Sequence, residues 1–350
     1  MSVLASDNPF LLPGGGRGAG AAELAIRPRI TWSLPPGTSI EVAGALADRQ
    51  YTRRYGNVLT GRLEATAAHR RDERLSWSAT ARAARDQTAD ALSSAVEAAA
   101  DPQSYRHSYG ARAGATWRFS GVSSLSPTIG WERASFTGTQ VLADTEAFDV
   151  GVAYARRLNE YTSIGVRAAY FASTVLGSEQ RVQTLVATAE RRLSPAWRAT
   201  VELGVERAGS RTEVWLGVPV TQDSRVRFGG RAEACRDGER TTACLSASLR
   251  SEVTGLGGLQ RELLLRGTAR RRVSERDTVE FLGEYRRASI QGGLFPDLDV
   301  LRARAGYERR LDRDFSLGGS LEYLQRRLLD GERVGAGFLG VRLIYRLEPR

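Results

Sequence analysis

The chain has 350 residues, of which 41% are hydrophobic, and a formal net charge of +10. Every one of its 50 basic residues is arginine, which excludes a lysine-bearing phosphate loop, a Schiff-base lysine and a Ser-x-x-Lys nucleophile. No apolar run reaches the roughly 18–20 residues that a membrane-spanning helix needs.

Residues 1–20 are predicted as a truncated first strand, Ser2–Ala5, followed by a glycine-rich loop. The glycine run Gly14–Gly20 superficially matches a phosphate-binding loop, but such a loop lies between a strand and a helix. Here the next segment, Leu24–Ile30, alternates as a strand does. The chain opens without the basic start and apolar stretch of an export signal, so we expect a mature chain or a gene start set too late.

From Ala21 onward a two-residue alternation restarts in segment after segment. In Phe315–Tyr323 the odd positions are apolar or aromatic, and the even positions are small or polar. Because a strand turns successive side chains to opposite faces, each segment has one apolar and one polar face. About sixteen such segments, separated by polar turns, predict an all-β fold: one antiparallel transmembrane β-barrel domain over residues 1–350.

Short polar turns alternate with longer connections, which is typical of outer-membrane barrels with short periplasmic turns and long external loops. The short turns are 34–37, 71–74, 121–124, 158–160, 193–196, 237–240, 274–277 and 311–314. Aromatic residues beside these turns predict a girdle at the membrane–water boundary. They are Trp32, Trp77, Trp117, Phe119, Trp197, Phe281, Phe315 and Tyr345.

Parity sets the strand count. Seventeen strands run from Ala21 to a last strand at Val334–Leu347, so an even number requires Ser2–Ala5 as one more. We therefore favour eighteen strands, with sixteen as the alternative. Pro28 and Pro127 fall inside predicted strands, where they mark bulges or misplaced boundaries.

Residues 88–101 are rich in alanine and are followed by Pro102, which predicts a short helix in an external loop. A solvated loop helix is favoured over one that folds inward as a plug.

Inward positions of the predicted strands are rich in arginine. A charge that faces lipid at mid-membrane costs about 2–4 kcal/mol, so the guanidinium groups are expected in the lumen, where they attract anions. Our candidate lumen site for anions is Arg27, Arg29, Arg112, Arg167, Arg225, Arg227, Arg231, Arg302 and Arg304. The inward face also carries Arg62, Arg82, Arg118, Arg198, Arg266, Arg286 and Arg326.

The alternative role of these arginines is structural, because glutamates share the inward face. Cross-strand Arg–Glu pairs would brace the wall of any barrel, each worth only about 0.2–1 kcal/mol. The acids are Glu64, Glu132, Glu202, Glu233, Glu262, Glu280, Glu284, Glu308 and Glu322. Arginines outnumber acids on this face, so an anion-favouring field is expected to survive the pairing.

Cys235 and Cys244 are the only cysteines, and both fall on the polar face of their strands. If the hairpin is centred between Glu239 and Arg240, the two face each other, which predicts a disulfide and an oxidising compartment such as the periplasm. Two free side chains are the alternative.

The histidines, His69 and His107, are too few and too far apart for a zinc site, so we predict no metal and no cofactor. His107 follows the longest loop and is the candidate residue for a barrel hydrolase; we predict no catalytic site. The arginines recur among acids at alternate strand positions instead of forming one patch, which argues against nucleic-acid binding.

The segment Gly340–Tyr345 resembles the C-terminal β-signal of bacterial outer-membrane proteins, although Arg346–Arg350 follows where that pattern usually ends on Phe. The segment Ser6-Asp-Asn-Pro-Phe10 resembles the Asp/Ser-Asn-Pro-aromatic segment that ends the first strand in porin-like outer-membrane barrels of exopolysaccharide gene clusters. The spacing of strands and turns along the chain is also similar to that of the family. The resemblance implies a role in exporting an extracellular polysaccharide through the outer membrane of a Gram-negative bacterium, and it implies no catalytic residues.

These observations together predict a passive outer-membrane pore for an anionic exopolysaccharide or another anionic solute. Its expected partners are outer-membrane lipid and lipopolysaccharide, the polysaccharide, and other proteins of an export machinery. The alternatives are a structural or assembly barrel with a closed lumen, a barrel hydrolase that uses His107, and a soluble arginine-rich β protein.

Overall fold

The computed structural model describes residues 1–12, 18–34, 37–52, 56–88, 97, 101, 103–175, 178–213, 219–221, 224–253, 259–290, 297–327 and 331–347. The helix predicted at 88–101 falls almost wholly outside these residues and stays a prediction. No helix in the described part of the chain has the length and apolar character needed to cross a membrane.

The described residues form one sheet of 20 strands. They are β1 Ser2–Ser6, β2 Ala19–Ile26, β3 Arg29–Leu34, β4 Thr38–Tyr51, β5 Asn57–Arg70, β6 Leu75–Gln87, β7 Tyr105–Arg118, β8 Ser123–Thr137, β9 Thr145–Arg157, β10 Thr162–Val175, β11 Ser178–Arg192, β12 Trp197–Glu213, β13 Pro219–Thr221, β14 Arg225–Asp237, β15 Thr241–Val253, β16 Leu259–Arg272, β17 Asp277–Ile290, β18 Leu298–Arg310, β19 Phe315–Arg327 and β20 Arg333–Tyr345.

The sheet closes into an antiparallel barrel of 18 strands. Strands β2 and β3 both pair with β4 and are two parts of one barrel strand, and β13 and β14 both pair with β12 in the same way. Strand β1 closes the cylinder, because Ser2 pairs with Glu23 of β2 and with Arg342 of β20. The prediction of eighteen strands, with Ser2–Ala5 in the first, is confirmed.

The two prolines disturb the barrel in different ways. Pro28 separates β2 from β3, so the predicted strand is broken there, although the Pro28 carbonyl still accepts a hydrogen bond from the Gly44 amide at 2.8 Å. Pro127 stays inside β8 and pairs with Val152 of β9. On its other side the ladder to β7 skips from Thr128 to Leu125, because proline has no amide to donate.

The outer surface of the barrel is apolar. On β14, Val226 and Phe228 are 67% and 74% exposed and alternate with arginines. The predicted girdle aromatics are all exposed beside the short turns, and neighbouring rings meet, as Phe315 and Tyr345 do at 4.8 Å between centroids. Such a surface requires a lipid environment.

Six of the eight short turns share one feature in the described residues, a side-chain oxygen that caps the turn. Asp72 Oδ1 accepts hydrogen bonds from the amides of Leu75 at 2.8 Å and Arg74 at 2.7 Å, and these bonds lower the pKa of the Asp72 carboxyl. Ser194 Oγ accepts from the amides of Trp197 at 3.1 Å and Ala196 at 3.3 Å. Equivalent caps are made by Ser120, Asn159, Ser274 and Asp312. The caps fix the register of each hairpin.

We predict that Ser194→Ala lowers the free energy of unfolding by about 1 kcal/mol, because two amides lose their acceptor. Urea unfolding in phospholipid vesicles measures the change. Ser194→Asp is the matched control and should keep wild-type stability, since aspartate caps the equivalent turn at Asp72. Equal losses in the two variants would contradict the capping role.

Candidate functional site

The arginines predicted to face inward lie on the polar side of their strands. Several occupy the middle of a strand and so form a belt at mid-height, among them Arg112 of β7, Arg231 of β14 and Arg304 of β18. The residues that alternate with the inward arginines lie on the exposed apolar side, as Val226 and Phe228 do beside Arg227 of β14. The belt therefore borders the lumen.

Most of the predicted lumen arginines are paired with acids. The N–O distances are 3.0 Å for Arg29–Glu41, 3.0 Å for Arg112–Asp149, 2.7 Å for Arg167–Glu202, 2.5 Å for Arg231–Glu233, 2.7 Å for Arg302–Glu322 and 4.0 Å for Arg304–Glu322. In the described part of the chain, Arg27 and Arg227 have no acid within 4.0 Å, and Arg225 has a partner. The acid-paired members of the predicted set can therefore brace the wall, whereas Arg27 and Arg227 remain available to attract anions.

Three of the ion pairs that cross an intervening strand cross it at a glycine. Arg82 of β6 pairs in register with Gly110 of β7, and Gly110 pairs with Glu132 of β8; the Arg82 guanidinium meets the Glu132 carboxylate at 2.6 Å. The other two are Arg112–Gly130–Asp149 and Arg342–Gly318–Glu308. We call these glycine-spanned bridges. Sequence analysis missed them, although glycine at an inward position was a visible signal.

Glycine is required where these side chains lie flat on the wall. A Cβ at Gly318 would lie 2.8 Å from Nε and 3.0 Å from Cγ of Arg342, and a Cβ at Gly110 would lie 3.1 Å from Nε of Arg82. A glycine here keeps the bridge short and keeps the charged side chains against the wall, out of the channel. Each bridge ties three neighbouring strands together.

The half of the lumen nearer the long loops is tightly packed. Glu206 is 5% exposed and accepts hydrogen bonds from the amide and hydroxyl of Ser251, each at 3.0 Å, and from Arg261 at 2.8 Å. Glu262 is 1% exposed and pairs with Arg286 at 3.4 Å. Buried carboxylates persist only where such partners are present, so this half is a fixed polar network.

The N-terminal segment after β1 folds into this packed half. The Asn8 side chain holds the segment by exchanging two hydrogen bonds with the Leu12 backbone, at 2.9 and 3.1 Å. Leu11 is 1% exposed and lies in an apolar cluster with residues of β18, β19 and β20, including Val300 and Leu324. Arg326, predicted as a lumen arginine, is 2% exposed and donates to the carbonyls of Phe10 at 2.9 Å and Leu11 at 3.3 Å. Its partner in the structure is this segment.

The half of the lumen nearer the short turns is open to water. The side chains of Arg29 and Arg112 are 70% and 68% exposed even though each is paired. Arg62 and Arg266, near the middle of β5 and β16, are also exposed, and among the described residues neither has an acid within 4.0 Å. The described lumen is therefore exposed and basic from mid-height to the short turns and packed near the long loops.

Cys235 and Cys244 face each other in register across the β14–β15 hairpin, and the structure joins them by a disulfide with an S–S distance of 2.14 Å. His69 bonds to Thr38 at 2.8 Å, and His107 bonds to Thr137 at 3.4 Å, so neither described partner is an acid. The described residues contain no cluster of metal-ligating side chains.

We predict that Gly318→Ala lowers the free energy of unfolding by about 1–3 kcal/mol, because the new Cβ displaces Arg342 from its bridge. Gly319→Ala is the control, since nothing lies within 4 Å of a Cβ at this outward position on the same strand. Urea unfolding in vesicles measures both. A loss in the Gly319 variant as large as in the Gly318 variant would rule out the bridge as the cause.

Comparison with known proteins places the fold. The apoprotein form of the FrpB iron transporter from Neisseria meningitidis matches 99% of this chain and 66% of its own, with a TM-score of 0.54 and 10% identity. The alcaligin outer-membrane receptor FauA from Bordetella pertussis matches 99% of this chain, which spans 65% of the receptor, with a TM-score of 0.49 and 11% identity. A bacterial polysaccharide outer-membrane secretin matches 99% of this chain and 97% of its own, with a TM-score of 0.37 and 11% identity.

The sequence matches no protein-family model and no curated protein. At these identities the structural likeness concerns the fold alone. The closed barrel of 18 antiparallel strands with an apolar exterior is a bacterial outer-membrane β-barrel, and the predicted location is confirmed.

Proposed function

We propose that this barrel is a passive outer-membrane pore for an anionic solute, and that the solute is an anionic exopolysaccharide. The observation that carries the proposal is the exposed, arginine-lined lumen from mid-height to the short turns. There the guanidinium groups of Arg62 and Arg266 are exposed to water and have no described acid within 4.0 Å.

The chemistry of such a lumen suits carboxylates. A guanidinium group presents a planar set of donors that matches a carboxylate and can replace part of its hydration. The paired arginines of the belt, such as Arg112 with Asp149, already have an acid beside them and so hold a passing anion more weakly. Transport requires this balance, because a solute must bind well enough to enter and weakly enough to leave.

A polysaccharide is favoured over a small anion by the resemblance of the Ser6–Phe10 segment to exopolysaccharide-cluster barrels. In the structure that segment lines the lumen and is held by the Asn8 and Arg326 hydrogen bonds. The segment thus lies on the lumen side of the wall, where a passing solute would contact it. The likeness to FrpB concerns the fold alone, so it suggests no cargo.

The second candidate is a structural or assembly barrel with a closed lumen. The buried network around Glu206 and Glu262 and the inward N-terminal segment favour it, because they fill the half of the lumen nearer the long loops. The two functions differ in conductance, which a closed lumen would nearly abolish.

We predict that the double variant Arg62→Gln, Arg266→Gln lowers the preference for anions in planar-bilayer reversal-potential measurements. Each charge is worth about 1 kcal/mol to an ion at about 4 Å in water, so the anion-to-cation permeability ratio should fall severalfold. Arg133→Gln is the matched control, because Arg133 follows the lumen-facing Glu132 on β8 and lies on the outer side.

An unchanged permeability ratio in the double variant would reject the anion-selective lumen. Negligible conductance of the wild-type barrel would instead support the closed structural barrel.

A further inference from the structure

Four inward arginines line a single cavity of about 400 Å³ at the short-turn mouth of the barrel. We call them the mouth cluster: Arg118 of β7, Arg157 of β9, Arg192 of β11 and Arg198 of β12. All four are exposed. The carboxylates of Glu160 and Glu190 line the same cavity, so the basic groups outnumber the acidic ones.

The register at this mouth is unusual in one hairpin. At four other short turns the inward arginine nearest the turn faces a serine across the ladder: Arg70–Ser76, Arg118–Ser124, Arg157–Ser163 and Arg310–Ser316. At the β11–β12 hairpin, Arg192 faces Arg198 directly. Like charges directly opposite each other destabilise a ladder, so this pair is unfavourable unless an anion binds between the two.

No described acid compensates this like-charge pair. No carboxylate lies within 4.0 Å of any mouth-cluster guanidinium in the described residues, although Glu190 is two residues from Arg192 on the same face. Arg157 donates to the carbonyl of Gly121 at 3.4 Å, which leaves its charge uncompensated. The cluster therefore presents donors to the solvent at the periplasmic mouth.

The dimensions favour a chain over a single ion. From β7 to β12 the cluster spans five inter-strand spacings of about 4.8 Å, or about 24 Å along the wall. Ser124 and Ser163, which face Arg118 and Arg157 across the ladder, line the cavity between the arginines with inward hydroxyls. Alternating cations and hydroxyls match a polymer that carries a carboxylate on some sugars and hydroxyls on all of them.

We propose that the mouth cluster is the site where a uronate-bearing polysaccharide chain first binds at the periplasmic end of the barrel, with one carboxylate held between Arg192 and Arg198. This inference rests on the proposed function. It adds where the polysaccharide is first bound and which chemical groups bind it. The arginines further up the lumen then receive the chain.

The test is calorimetric binding of an oligogalacturonate to the full-length protein in a non-ionic detergent. The variant is Arg198→Ser, which recreates the arginine–serine pairing of the other hairpins, and the matched control is Arg310→Gln at a different hairpin. We expect the affinity to fall by about tenfold or more in the Arg198 variant and to change little in the control, because hydrogen bonds to charged groups are the strong ones.

Relief of the like-charge pair provides a second readout. Without ligand, Arg198→Ser should raise the urea midpoint of unfolding, and a lowered midpoint would contradict the electrostatic argument. Equal affinity in wild type and the Arg198 variant would overturn the site. Binding of monomeric galacturonate or inorganic phosphate as tight as that of the oligomer would overturn the polymer assignment.

The outcomes separate this site from the pore. A wild-type barrel that binds the oligogalacturonate through Arg198 but does not conduct would leave the site standing and reject the proposed function. A barrel that conducts anions selectively, but whose affinity for the oligomer does not change in the Arg198 variant, would support the proposed function and reject the site.

Discussion

The structure depends on keeping guanidinium groups away from lipid. A charged side chain at mid-membrane on the outer face costs about 2–4 kcal/mol, so arginines at mid-height must be sorted by strand alternation. Outward arginines lie nearer the strand ends, as Arg133 does on β8. The alternation places Arg227 inside and Phe228, 74% exposed, outside on the same strand. Closure by β1 then makes the interior a separate aqueous compartment in which charges can pair or remain free.

The wall uses those charges in two ways. Near the long loops they are buried and paired, as in the Glu206–Arg261 contact, and they hold strands that are far apart in the sequence. The glycine-spanned bridges keep paired side chains flat, and at the short-turn mouth the arginines of the mouth cluster have no described acid within 4.0 Å. The lumen of the described barrel is therefore basic and exposed near the short turns and packed near the long loops.

Local patterns predicted what depends on neighbours in sequence. Alternation and turns predicted the antiparallel barrel, its eighteen strands and the facing of Cys235 and Cys244. They did not predict the ion pair between Arg82 and Glu132, because those residues lie on two strands separated by a third strand. They also did not predict the contact of Arg326 with Phe10, because that contact forms only when the barrel closes. The Arg192–Arg198 pairing follows from the centre of its hairpin, so the sequence already contained that signal.

Thiol accessibility on β5 tests the sorting of side chains most directly. Cysteine would replace Arg62 or its neighbour Leu63, which is 53% exposed on the outer face, in the barrel reconstituted into phospholipid vesicles, and a charged, membrane-impermeant thiol reagent would be added. The account predicts rapid modification at position 62 and protection at position 63. Rapid modification at position 63 with protection at position 62 would contradict it.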